Sequence, residues 1–438
     1  MDLENVSIIG AAGKMGSGIA MLISQEVAKL KIDDPDKIYR VNLIDVNERA
    51  MDGLHKYIKT QATKLAERNI VSLRSLYASH SDLIENSDII DAFVNELLGV
   101  IRYGTELEVA RNSQIVFEAV IEDEPLKLNL LTKLNHLCAK GTLFFTNTSS
   151  IPIGFLDNQV GLGGRLIGYH FYNPPVVQKL VELIPSDATT DELKSIALEL
   201  GKVLGKKLIS SNDIAGFIGN GHFIRDGLYA ISEAERLKTK YGGAGAIYLM
   251  NRITQDFLVR PMGIFQLIDY VGIDVFQCIL RVMSKHLQDT TLKSQLIDDM
   301  MAKNVKGGQF ADGKQKDGFL KYENNKPIAT YNIEKNEYLM WEGLPSPEWK
   351  TKIDTELGNL PNGHSPWKKL LNNPKKADIL STYFSNLRQA SGLGAELAKN
   401  YLAESKKIGL KLVKDGVANS EADVNGFFWA YGPINEYI

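Results

Sequence analysis

The stretch VSIIGAAGKMGSGIA, residues 6–20, decides how this chain folds. Val6 to Ile9 is a continuous apolar run, the pattern of a parallel strand covered on both faces. It enters Gly10-Ala11-Ala12-Gly13-Lys14-Met15-Gly16, and helical periodicity carries on from Ile19 to about Leu30. Strand, glycine loop and helix in this order offer a pyrophosphate a bed of backbone N–H groups at the positive end of a helix. The glycines allow a tight turn and close approach of phosphate to backbone. The spacing is G-x-x-G-x-x-G, one residue longer than the common G-x-G-x-x-G.

A second strand, Val41 to Ile44, ends in Asp45. A carboxylate there accepts hydrogen bonds from the hydroxyls of an adenosine ribose and repels a 2′-phosphate, which favours NAD over NADP. Asp45 stands 35 positions after Gly10, against about 20 in the common pattern. The polar segment KIDDPDK, residues 31–37, accounts for the excess as a surface insertion. Gly10, Gly13, Lys14, Met15, Gly16 and Asp45 are therefore the expected cofactor contacts.

With 438 residues the chain should divide into two or three domains. Its 44% apolar and 24% charged content are those of a globular protein, and a net charge of −3 argues against nucleic acid or an anionic membrane as main partner. No apolar run approaches ~20 residues, so no membrane span is expected. Cys138 and Cys278 lie in apolar surroundings at no metal-like spacing and read as reduced core residues. A strand starting at Val6 leaves no room for a signal or transit peptide, so a cytoplasmic location is expected. His55, His80, His136, His286 and His364 have no acidic or cysteine partners at ligand spacing, and no metal is expected.

Further along, FFTNTSS (144–150) is a strand-like run ending in Asn147, Thr148, Ser149 and Ser150. The next, GYHFYNPPVVQKLVELI (168–184), ends its first apolar run at His170, with Asn173 and two prolines behind it that stop the strand. Glu182 follows inside an apolar segment. Hydroxyl, imidazole and carboxylate at successive element ends are the parts of an acid–base site, although His170 alone could be structural and Ser149 alone a turn cap. Between these stretches, Val116 to Ile121 reads as a buried strand closing on Glu122, with Lys127 opening a helix to about Leu137. Lys56, Lys59 and Lys64 share a helix that is either a solvated face or a dock for a phosphorylated substrate tail.

The glycine loop continuing as KMGSGIA, then FEAVIED (117–123), TNTSS, GYHFYNPP with VELI behind it, and DIAGFIGN (213–220) resemble, in order, the motifs of the L-3-hydroxyacyl-CoA dehydrogenases of fatty-acid β-oxidation. RPMGIFQLIDYVG (260–272) and KQKDGFLKY (314–322) resemble those closing the family's C-terminal domain. The resemblance spans roughly residues 5 to 325. It implies an α/β fold, with an N-terminal Rossmann-type, doubly wound, mostly parallel sheet followed by an all-helical C-terminal region that closes over it. It implies NAD as cofactor and an acyl-CoA as substrate. It assigns the catalytic base to His170, its orienting acid to Glu182, and substrate contacts to Ser149 and Asn220. Glu122, Lys127, Asn147 and Asn173 would line the nicotinamide end, and Lys64 matches a CoA-contacting lysine loosely.

The expected domains are 1–210 for the cofactor, 211–325 for a helical closure domain, 326–376 as an irregular connection, and 377–438 as a second helical block. In that last block Tyr431-Gly432-Pro433-Ile434 faintly echoes Pro261-Met262-Gly263-Ile264. The echo suggests a degenerate and incomplete second copy of the helical domain, which would make the chain either a homodimer or a monomer with an internal pseudo-dimer. Two rival functions remain open at this point. One is a two-domain hydroxy-acid dehydrogenase on a non-CoA substrate, which would commonly use a lysine base; the other is an NAD-binding protein without catalysis.

Overall fold

Apolar runs become buried strands throughout the first half of the chain. The structure, a computed structural model, describes residues 3–310, 313–345 and 347–429. It divides into two compact units, Met1–Asp213 and Ile214–Ile438. The first unit runs β1 (Asn5–Ile9), α1 (Lys14–Asp33), β2 (Arg40–Ile44), α2 (Glu48–Arg68), α3 (Ile70–Leu76), α4 (Asn86–Gly99), β3 (Ile101–Gly104) and β4 (Ile115–Glu118). It continues with α5 (Glu124–Leu137), β5 (Leu143–Thr146), α6 (Ile153–Val160), β6 (Leu166–Phe171), β7 (Leu180–Ile184), α7 (Asp191–Val203) and β8 (Lys207–Ser210).

The eight strands form one sheet in the order β3-β2-β1-β4-β5-β6-β7-β8. All neighbours are parallel except β6 and β7, so β7 and β8 run against the other six. Every residue of β4, β5, β6 and β7 is buried, as a sheet covered on both faces demands. The covering helices start on local signals. Asn47 accepts from Ala50 N at 3.1 Å, Asp123 from Leu126 N at 2.8 Å, and Thr190 from Leu193 N at 3.3 Å. On α2 the buried positions are Met51, Leu54, Ile58, Ala62 and Ala66, three or four apart, which is one helical face. Strand order reverses between β1 and β4, and in open α/β sheets that switch point is where ligands bind. The third strand of the sequence reading, 116–121, is shorter than expected. β4 ends at Glu118, which frees Ala119 to Glu122 to turn over the carboxyl edge.

The second unit is largely, not wholly, helical. Its helices are α8 (Phe217–Tyr241), α9 (Gly243–Arg252), α10 (Ile264–Val271), α11 (Ile273–Leu287), α12 (Gln295–Ala302), α13 (Glu348–Leu357), α14 (Trp367–Leu370), α15 (Lys376–Gln389), α16 (Leu393–Lys414) and α17 (Glu421–Trp429). The end of the expected helical closure domain and the start of the segment expected to be irregular instead build an antiparallel sheet from β9 (Leu320–Glu323), β10 (Lys326–Asn332) and β11 (Glu337–Met340), in the order β11-β10-β9. Asp269 on α10 anchors it, fully buried, accepting from Phe319 N at 2.7 Å, Leu320 N at 2.8 Å and the Tyr322 hydroxyl at 2.9 Å.

The final helical block is fixed to α8 by a buried polar cluster. Asp226 on α8 accepts from Arg260 Nη1 at 2.8 Å, the Tyr401 hydroxyl at 3.0 Å and Ser405 Oγ at 3.0 Å, the last two from α16. His222 belongs to this cluster, with Nε2 3.2 Å from Ser405 Oγ. Cys138 is buried as expected, whereas Cys278 is only half-buried, because α11 turns its Phe276–Ile279–Met283 stripe to the core instead. The echo at Tyr431–Ile434 lies outside the described residues. Among those residues, no helix is long and apolar enough to cross a membrane, and no group of three or more His, Cys, Asp or Glu could hold a metal.

Candidate active site

At the end of β1 the backbone of Gly10 has φ +78, and a Cβ there would lie 2.8 Å from Ala119 O. At Gly16 a Cβ would stand 2.0 Å from Gly10 O, so only glycine lets α1 approach the loop this closely. Gly13 precedes α1 in extended geometry; no side chain caps the helix and no acid occupies its first turn. That leaves the positive helix end to an outside anion. Lys14 opens α1 as an exposed side chain, and Met15 behind it is half-buried against the core.

Asp45 sits beside this loop, as the strand pattern requires. Its Oδ2 accepts from Ala12 N at 3.0 Å and its Oδ1 from Asn47 N at 3.0 Å. A cavity of about 410 Å³ opens at the switch point, lined by Gly10, Gly13, Asp45, Val46, Ile121 and Leu126 among others. Val46 and Ile121 are 93% and 73% exposed, two apolar side chains flanking one carboxylate. An adenosine with its pyrophosphate on the α1 end fits those walls: apolar faces for the base, an acid for the ribose, glycines for the phosphates.

Beyond β4 and β5 the chain builds a charged knot. Lys127 is 1% exposed, and its Nζ donates to Glu118 Oε1 at 2.7 Å and lies 3.5 Å from Glu122 Oε2. Glu118 also accepts from Val120 N at 2.8 Å and from the Thr146 hydroxyl at 2.6 Å. Oε1 of Glu122 accepts from Thr148 Oγ1 at 2.7 Å, Ser149 N at 2.9 Å, Ser149 Oγ at 3.2 Å and Ser150 Oγ at 2.8 Å. Burial opposes ionisation of Glu122, but the Lys127 charge and these donors outweigh it and hold its carboxyl below the usual range. Burial likewise opposes the Lys127 charge, and the two carboxylates outweigh it, so its pKa is raised. Lys127 thus faces inward and does its work through the acids, while Glu122 fixes the turn that carries Ser149. Sequence reasoning missed Glu118, because it lies inside the run read as one strand to Ile121, and only the end of β4 at Glu118 marks it out.

The third group stands where β6 and β7 pair. His170 and Glu182 are opposite each other in the antiparallel register. His170 Nδ1 lies 3.2 Å from Glu182 Oε2, with His170 6% exposed and Glu182 fully buried. The Tyr172 hydroxyl donates to the same Oε2 at 2.7 Å, and its ring centroid is 4.4 Å from that of His170. Asn147 ties β5 to β6 through its Oδ1, which accepts from Phe171 N at 2.8 Å. The loop after Asn173 lies against α1: a Cβ on Gly18 would be 2.7 Å from Pro175 Cδ.

Lys64 projects exposed from α2, and Asn220 belongs to the second unit, in the first turn of α8. The first unit therefore brings together His170 with Glu182, Glu122 with Ser149, and Asp45 with the glycine loop. With Nδ1 engaged by Glu182, the imidazole is left with Nε2 for a proton on a reacting group.

Two family profiles match the chain. One is described as 3-hydroxyacyl-CoA dehydrogenase, NAD binding domain, over residues 5–214; the other as 3-hydroxyacyl-CoA dehydrogenase, C-terminal domain, over residues 250–322. A probable 3-hydroxybutyryl-CoA dehydrogenase of Bacillus subtilis is 28% identical over 74% of this chain and 99% of its own length. The mitochondrial hydroxyacyl-coenzyme A dehydrogenase of Homo sapiens is 29% identical over 73% of this chain and 92% of its own. Among solved structures, 3-hydroxybutyryl-CoA dehydrogenase from Escherichia coli K12 covers 100% of this chain with 90% of its own, at a TM-score of 0.61 and 19% identity, a likeness of fold.

Proposed function

Because the chain belongs to the 3-hydroxyacyl-CoA dehydrogenase family and is an NAD-dependent oxidoreductase, we propose that it oxidises L-3-hydroxyacyl-CoA to 3-oxoacyl-CoA with His170 as general base. The observation that carries this reading is the His170–Glu182 pair, in register across β6 and β7 at 3.2 Å. NAD, when bound, supplies the acceptor for the hydride that leaves C3. The residues that would hold it are the 10–16 loop with the α1 end for the pyrophosphate, and Asp45 for the adenosine ribose.

Oxidation of a secondary alcohol needs a proton taken from the hydroxyl as the carbon–hydrogen bond breaks. His170 Nε2 takes that proton in this reading. Imidazole suits the task because its unperturbed pKa of ~6.5 lies close to working pH. Glu182 fixes the tautomer through Nδ1 and stabilises the imidazolium as it forms, the division of labour of a base and its orienter. Ser149, held by Glu122, would hydrogen-bond a substrate oxygen and keep the carbon in a reactive geometry. Glu122, Asn147 and Asn173 would shape the nicotinamide end, Lys127 acting through Glu122. For Asn220 and Lys64, substrate contact rests on the family resemblance alone.

The test is NADH formation by the purified protein from L-3-hydroxyacyl-CoA thioesters of increasing chain length, beside the free 3-hydroxy acids. The proposal expects turnover of thioesters and little of free acids. Turnover of the free acids alone would overturn it.

A further inference from the structure

We propose that Tyr172 is a positioning residue for the base, holding Glu182 by its hydroxyl and so setting the lowest pH at which His170 can act. This rests on the reading of His170 and Glu182 given above and extends it to a residue outside the pair.

The geometry is that of one carboxylate oxygen shared by two donors. Oε2 of the fully buried Glu182 receives the Tyr172 hydroxyl at 2.7 Å and faces His170 Nδ1 at 3.2 Å. β6 ends at Phe171, so Tyr172 is the first residue past the strand, and alternation puts it on the same side of the chain as His170. Both rings therefore reach toward Glu182, with centroids 4.4 Å apart and planes inclined by 50°. From β6 and the turn after it, the groups facing Glu182 are thus an imidazole and a phenol; β8 sets the apolar Ile209 in register with it.

Hydrogen bonds to an ionised acceptor are short and strong, and here the phenol makes the shorter of the two. It fixes the carboxylate in one orientation and draws charge from the oxygen that would stabilise an imidazolium. Without the hydroxyl, that oxygen turns more of its charge on Nδ1 and favours the protonated ring. A larger fraction of the enzyme would then hold His170 charged at neutral pH, unable to accept a proton.

Tyr172→Phe keeps the ring and its packing and removes only the hydroxyl. The experiment is the pH profile of kcat/KM for thioester oxidation by wild type, Tyr172→Phe and His170→Asn holoenzymes, with KM and kcat resolved for each. A hydrogen bond to a charged group is worth roughly 10- to 100-fold, and the part of it that reaches His170 through the shared carboxylate oxygen is roughly a 3- to 10-fold effect. The acid limb of the Tyr172→Phe profile should accordingly move to higher pH, with activity down roughly 3- to 10-fold at pH 6.5, recovering above pH 8.5, and KM nearly unchanged. A profile that superimposes on wild type, moves the other way, or drops equally at every pH overturns the proposal while leaving the base intact. Substantial activity in His170→Asn overturns the parent reading instead.

Discussion

Replacing Lys127 with methionine should destabilise the first unit by about 3–5 kcal/mol, the range for removing one partner of a buried ion pair. The structure indicates where the loss falls. The ammonium is 2.7 Å from Glu118 and 3.5 Å from Glu122, and both Lys127 and Glu118 are 1% exposed. At such separations a single pair is worth about 5–6 kcal/mol with an effective dielectric near 20, before the cost of desolvation is subtracted. Glu122 keeps four donors from Thr148, Ser149 and Ser150 when the lysine goes, and it is 15% exposed, so it can stay ionised. Glu118 keeps only Val120 N and the Thr146 hydroxyl in full burial, so the penalty concentrates there. The double variant Lys127→Met/Glu118→Gln should therefore recover much of the loss.

Thermal denaturation followed by far-UV circular dichroism is the assay, since all four tryptophans lie beyond residue 340 and their fluorescence reports only the second unit. For a unit of this size the expected fall in Tm is roughly 6–20 °C. Because the Lys127 pKa is raised, its contribution is fully present below the unfolded value near 10.4 and is lost only as pH rises through the folded one. The difference between wild type and variant should thus stay flat from pH 6 to 9. A fall under 2 °C, or a double variant less stable than the single, would refute the reasoning.

Asp45→Ala should weaken NAD by roughly 10- to 100-fold, the worth of a charge-assisted hydrogen bond, and relax discrimination against NADP. The ratio of kcat/KM for the two cofactors checks this, and an unchanged ratio contradicts the role. In the second unit, burial pushes the Asp269 carboxyl up to about 8 against the pull of its three donors. A raised carboxyl binds more protons folded than unfolded, so stability should decline as pH climbs from about 4 toward 8 and level off above. Urea denaturation followed by tryptophan fluorescence at pH 6 and 8 should show that decline in wild type and lose most of it in Asp269→Asn.

What the sequence revealed and what it hid divide along physical lines. β1, β5 and β6 were legible because continuous apolar runs between glycine and proline breaks have few other ways to bury themselves. Gly10 and Gly16 were legible as a loop, although the need for glycine at 16 comes from a carbonyl across the turn that no spacing reveals. The small sheet of the second unit was hidden by short, half-exposed strands and by Pro327 inside β10. Its one signal was Asn324-Asn325, both at positive φ, the two-residue hairpin joining β9 to β10. His170 and Glu182 were singled out through motif order, and their pairing follows from antiparallel register. Tyr172 and Glu118 stand at strand ends that the sequence does not mark, and the inward turn of Lys127 on α5 depends on the acids that β4 and the turn after it bring to it. His222 proved to belong to the Asp226 cluster, with partners on α16 about 180 residues away in sequence.

The central claim is that the imidazole of His170 takes the substrate proton. Its most direct test is the single-turnover rate of NADH formation by His170→Asn, measured beside an NAD titration of the same preparation. The account predicts a rate lower by roughly 10²–10⁴, the worth of a general base, with NAD affinity unchanged. A rate within threefold of wild type would contradict it.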